Sequence, residues 1–118
     1  MQKELFETNP IVRLSFNFSL KLIPYCEQLE NVRKFVVMNQ LLRAGTAICA
    51  NVMEAQNPES NDDFIHKMKV AAKEADETQY WLMLCDRSQN YPDCKELMHK
   101  LAEIQKILTK IIASSRRK

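Results

Sequence analysis

Glycine occurs once in the 118 residues of this chain, at Gly45. Tight hairpins need residues at positive φ, which glycine supplies at no steric cost, so so little glycine argues against a strand-rich fold. The same scarcity excludes Gly-rich phosphate loops and dinucleotide fingerprints, whose glycines let the backbone approach phosphate. With 46% hydrophobic and 27% charged residues the chain has the side chains to build a core, which argues against disorder and favours helices. Its length allows one domain, residues 1–118, and leaves no room for a second.

Breaks in hydrophobic periodicity divide the chain into four predicted helices, at about 10–29, 33–56, 61–87 and 93–113. Asn9-Pro10 opens the first, because Asn accepts from orphan N–H groups and Pro at the first helical position sacrifices no bond. Pro24 removes a donor inside that helix and predicts a kink or an early end. Pro58 stops the second helix, Ser60 with Asp63 reads as a capping box for the third, and Ser88 to Pro92 separates the third from the fourth. Connections of about five residues favour antiparallel neighbours, so the expected fold is all-α, an up-down-up-down antiparallel four-helix bundle.

The helix faces bear on assembly. In the second helix Val37, Leu41, Ala44, Ile48, Val52 and Ala55 make one apolar side, and Phe35, Leu42, Cys49 and Met53 another. The first helix is also two-faced, and Tyr80 to Cys85 covers the whole circumference of the third. That is more apolar surface than one small core hides, which predicts a homo-oligomer.

A narrow polar stripe with Arg43, Asn51 and Glu54 interrupts the second helix, and the third offers Lys73, Glu74 and Glu77. Buried charges must be paired, so these residues predict a buried polar network linking Arg43 to Glu74 or Glu77, with Glu54 near Lys67 or Lys73. A catalytic reading of the carboxylates is weaker, because no nucleophile, phosphate loop or E-x-x-H metal spacing accompanies them. No catalytic residue, metal ligand or cofactor is assigned, and the chain reads as no enzyme. Cys26, Cys49, Cys85 and Cys94 include no C-x-x-C pair and read as reduced core residues. The first eight residues hold no apolar signal segment, and the longest uncharged run, Ala44 to Met53, is too short for a membrane span, which implies a cytoplasmic protein.

Charge is modest overall, 17 Lys and Arg against 15 Asp and Glu, but unevenly placed. From Asp93 to Lys118 seven basic residues face three acidic ones. Leu97, Leu101, Ile104, Leu108 and Ile111 form a heptad-like seam, while His99, Lys106, Lys110 and Arg117 share the opposite side, flanked by Lys95, Arg116 and Lys118. Such a stripe can track RNA or DNA phosphates electrostatically, or simply solubilise a protein-interaction adaptor. It lacks aromatic residues for stacking single-stranded bases.

The middle of the chain carries a family resemblance. Gln40-Leu41-Leu42-Arg43-Ala44, Ala47 to Ala55 with its Asn51-x-x-Glu54 element, Asp63-Phe64-Ile65, and Ala71 to Leu82 with Glu74-x-x-Glu77 resemble the four-helix-bundle proteins encoded in 23S rRNA intervening sequences. That family is in turn similar to the accessory protein of diversity-generating retroelements, a basic pentameric barrel that associates with nucleic acid. The resemblance implies a homopentamer and supports nucleic-acid contact. It assigns Arg43, Asn51, Glu54, Glu74 and Glu77 to the family motif, with Ala55 standing where members often carry Gly.

Overall fold

A computed structural model describes residues 2–116 and contains five α-helices, with no strand among the described residues. Helix α1 spans Gln2–Thr8, α2 Pro10–Asn31, α3 Phe35–Ala55, α4 Asn61–Arg87 and α5 Lys95–Arg116. Consecutive long helices pack on one another, α5 returns to pack on α2, and α1 touches only α2. The core lies between the four long helices and includes Phe18 and Leu22 of α2, Leu41, Ile48 and Val52 of α3, Met68 and Leu82 of α4, and Leu101, Ile104 and Leu108 of α5.

Local signals explain most of the boundaries. Asn9 Oδ1 accepts from Val12 N at 3.4 Å, and Ser60 Oγ accepts from Asp63 N at 3.0 Å, so each side chain satisfies an orphan donor of the helix it opens. The Asp63 carboxylate reaches back to Glu59 N at 3.1 Å, one residue before the position a standard capping box uses. Helix α2 runs through Pro24 to Asn31 rather than ending there. Pro24 lies on the exposed side, where water can hydrate the carbonyl left without its helical donor.

Three features depart from the expected elements. Gln2–Thr8 forms α1, whose Phe6 ring packs at a tilt on Phe16 with centroids 4.8 Å apart and whose Leu5 packs on the core. Helix α3 starts two residues later than expected because Arg33 takes φ 65, a left-handed conformation that no α-helix can include. There Arg33 N donates to Glu30 O at 2.9 Å and Lys34 N to Leu29 O at 2.8 Å, closing the end of α2 in the way glycine usually does. Helix α5 extends to Arg116 because Asn61 Nδ2 donates to the carbonyl of Ser115 at 3.3 Å, satisfying one acceptor of the last turn.

All four cysteines are free and buried. Burial pushes the Cys26 thiol up to about 12 and the Cys94 thiol up to about 11, and it raises Cys49 and Cys85. These thiols stay protonated at neutral pH, which removes the thiolate that oxidation and metal binding require. Beside Cys94, whose Sγ lies 3.4 Å from Leu82 O, the Tyr25 hydroxyl donates to Pro92 O at 2.8 Å and ties the α4–α5 loop to α2.

Gly45 sits in the middle of α3 and faces α2. A Cβ there would run into Leu22 Cδ2, with Phe18 Cε2 at 3.6 Å. The glycine leaves room for that Leu22 methyl, which any larger residue would displace. Alanine gains about 1 kcal/mol in helix propensity, whereas overpacking a filled core costs about 1–3 kcal/mol. Gly45→Ala is therefore expected to lower unfolding free energy by about 1 kcal/mol in urea denaturation. In a Leu22→Ala background, where the obstructing methyl is gone, the same substitution should become stabilising. Gly45→Ala stabilising the wild-type chain would overturn this account of the helix contact.

Candidate functional site

Two polar arrangements face solvent, one along α5 and one along the seam of α3 with α4. On α5 the buried row Leu97, Leu101, Ile104 and Leu108 fixes the helix's rotation, leaving Lys95, His99, Lys106, Lys110 and Arg116 outside. Arg117 and Lys118, also assigned to the basic stripe, lie outside the described residues. The stripe is not uniform. Lys95 Nζ lies 2.8 Å from Asp86 Oδ1, a contact that raises the Lys95 pKa and holds its proton. His99 Nε2 lies 3.3 Å from Glu103 Oε1 in a solvated contact one turn apart. Beside them Lys21 pairs with Glu96 at 3.1 Å and lowers the Glu96 pKa.

The first turns of α5 are thus locally neutralised. Lys106 and Lys110 form no ion pair among the described residues. They share an open stretch of the α5 surface with the neutral side chains of Ala102, Gln105 and Thr109.

Along the α3–α4 seam Arg43 contacts both carboxylates of the Glu74-x-x-Glu77 element, Nη1 lying 3.4 Å from Glu74 Oε2 and Nη2 bonding Glu77 Oε2. Further along, Glu54 Oε1 accepts from Lys67 Nζ at 3.1 Å. The antiparallel helices place these partners, since Arg43 meets Glu74 and Glu77 while Glu54 meets Lys67. The network is not buried in the single chain: the Arg43 side chain is 51% exposed. Among the described residues only α3 and α4 meet at this seam. Asn51 turns back to its own helix, donating to Ala47 O at 2.9 Å. Lys73 stands outside the network because it precedes Glu74 by one residue, about 100° around α4, and that turns it outward.

Trp81 is the seam residue that sequence reasoning missed. Its Nε1 donates to Glu77 Oε2 at 3.0 Å, so one carboxylate oxygen is shared by an indole and a guanidinium. The i, i+4 spacing of Glu77 and Trp81 was the available signal. The indole and then the guanidinium hold the Glu77 carboxyl below the ordinary glutamate value, while Glu77 raises the Arg43 pKa. Among the described residues no group of His, Cys, Asp or Glu is arranged to hold a metal ion, and no helix is long and apolar enough to cross a membrane.

The sequence model of a family described as 23S rRNA-intervening sequence protein matches residues 7–110. The fold is similar to that of a protein with unknown function from the S23 ribosomal protein family of Bacteroides thetaiotaomicron, known from a crystal structure at 1.70 Å. The two share 37% sequence identity and a TM-score of 0.82, over 86% of this chain and 97% of that one. No curated protein matches the chain.

The chain's single tryptophan, Trp81, reports directly on the seam. A carboxylate whose folded pKa is depressed stabilises the fold above its unfolded value, and the contribution is lost as pH falls through the folded one. Trp81 emission should therefore titrate with a midpoint below the ordinary glutamate value of 4.5, and Glu77→Gln should abolish the transition. The stability difference between wild type and Glu77→Gln should be present at neutral pH and vanish in acid. A midpoint at or above the ordinary value would show that the shared carboxylate does not form in solution.

Proposed function

The chain belongs to the 23S rRNA-intervening sequence protein family, and on that premise we propose that it is a non-enzymatic, oligomeric helical scaffold that binds RNA or a ribonucleoprotein electrostatically. The observation that carries this reading is the outward face of α5, where Lys106 and Lys110 stand exposed without carboxylate partners among the described residues. Lysines arranged this way gain affinity by releasing the counterions of a phosphate backbone, without reading sequence. The cytoplasm, where ribosomal RNA resides, is the proposed location.

The same reading takes the long helices as an up-down-up-down four-helix bundle and the assembly as a homopentamer, as the resemblance implies. Apolar side chains left open on the single chain support association. Phe16, Leu20 and Ile23 recur at i, i+4 and i+7 along α2, and Tyr80, Met83 and Leu84 gather near the end of α4. Val36, 75% exposed, and Phe35 stand at the start of α3, which the antiparallel pairing puts at the same end as the close of α4. These side chains also favour a second reading, a protein-interaction adaptor whose basic face only confers solubility.

Two measurements separate the readings. Native mass spectrometry at micromolar concentration should give five copies, and a monomer alone would remove the assembly. In fluorescence anisotropy a mixed-sequence RNA should bind the wild type with steep salt dependence. Lys106→Glu/Lys110→Glu should weaken binding at least tenfold and flatten the salt slope by about 1 per lysine. No RNA binding at low salt would turn the assignment to the adaptor.

A further inference from the structure

The register of α4 against α5 is held at three levels. Lys95 meets Asp86 at 2.8 Å, Gln105 Nε2 meets Asp76 Oδ1 at 3.1 Å and Gln79 Oε1 at 3.2 Å, and Asn61 meets the Ser115 carbonyl at 3.3 Å. Between the second and third levels α4 carries Lys69 and Lys73, and α5 carries Lys106 and Lys110. All four are exposed and form no ion pair among the described residues, whereas Lys21, Lys67 and Lys95 each hold a carboxylate. Each pair is spaced i, i+4, so its Cα atoms stand about 6 Å apart along the helix axis. Packed helices keep their axes about 8–10 Å apart, so the lysines form two rows at a fixed separation.

Helical rotation sets the rows on the outward side of the helix contact. Lys106 follows Gln105 by about 100° around α5, and Lys73 lies three residues before Asp76 on α4. Asp76, the acidic group of this contact, is already engaged by Gln105. The sequence pattern places a basic face on the last helix alone, and the register adds a second lysine row on α4 at the same level.

We propose that the α4–α5 face is a phosphate platform for double-helical RNA, with Lys69 and Lys73 on one phosphate strand and Lys106 and Lys110 on the other. The inference rests on the RNA-binding reading above and names its ligand. An A-form helix brings its two phosphate strands close together across a deep, narrow major groove, which suits two cationic rows on rigid helices. B-form DNA brings its strands comparably close only across its minor groove, about 6 Å wide, so a DNA duplex is the comparison that tests the choice of A-form RNA. Single-stranded RNA is held by stacking on aromatic side chains, and Ala102, Gln105 and Thr109, which share the α5 surface with the two lysines, include none. Lysine ammonium groups act as point charges, so the platform reads backbone shape and charge rather than sequence.

The test uses the full chain and three labelled probes in anisotropy: a short RNA hairpin duplex, an unstructured RNA strand of equal length, and a DNA duplex. Lys69→Gln/Lys73→Gln and Lys106→Gln/Lys110→Gln are compared with wild type over a salt series, with circular dichroism confirming the helical fold of each. The platform predicts that the RNA duplex binds tightest. It also predicts that both variants weaken that binding to a similar degree and that each flattens the plot of log K against log salt by about 1 to 2. Wild-type affinity and slope after loss of Lys69 and Lys73, with loss only in the α5 variant, would overturn the platform and leave the α5 reading standing. Tighter binding of the single strand or of DNA would overturn the duplex RNA ligand. Absence of RNA binding by wild type at low salt would remove the underlying reading and the platform together.

Discussion

The packing of α2 on α3 around Gly45 is the contact on which the rest of the structure depends. A Cβ there would overlap the terminal methyl of Leu22, with Phe18 at ordinary contact distance, so the glycine keeps that methyl in its place between the helices. Residues two apart on a helix point about 200° from one another, so turning Gly45 toward α2 carries Arg43 to the opposite side of α3. There it meets Glu74 and Glu77 of α4. The orientation of α3 thus serves both the apolar contact on one side and the polar seam on the other.

The polar seam contributes more to register than to stability. Its charges are partly exposed, and ion pairs in that setting contribute little because water screens them and long side chains lose entropy. Arg43 with Glu74 and Glu77, and Lys67 with Glu54, nevertheless suit one sliding position of α4 along α3 better than its neighbours. Lys95 with Asp86 and Gln105 with Asp76 do the same for α4 and α5. Lys106 and Lys110 take no part in setting register and hold no carboxylate among the described residues.

Much of the fold was legible in local patterns. Asn9, Pro10 and Ser60 mark helix starts because capping is chemistry between residues three positions apart, and the apolar rows of α2, α3 and α5 follow from helical period alone. The pairing of Arg43 with Glu74 or Glu77 was also readable, because antiparallel helices joined by a short loop can align their polar stripes in few ways. The exposure of that network was not. It depends on how many helices meet at the seam, which no local pattern encodes. Helix α1 was missed because a seven-residue helix has too little periodicity to declare itself, and the later start of α3 because a left-handed Arg33 leaves no compositional mark.

By itself the sequence determined an all-helical chain, the number and order of its long helices, their buried rows and the basic character of the last one, because each of these follows from the order of neighbouring residues. Only the tertiary structure decided which side chain Gly45 makes room for, that Glu77 is shared by Arg43 and Trp81, and that Lys69 and Lys73 fall at the level of Lys106 and Lys110 in the α4–α5 register. Those relations join residues distant along the chain. Their geometry is set by helix register, and register arises from the summed packing of whole helix faces rather than from any short stretch of sequence.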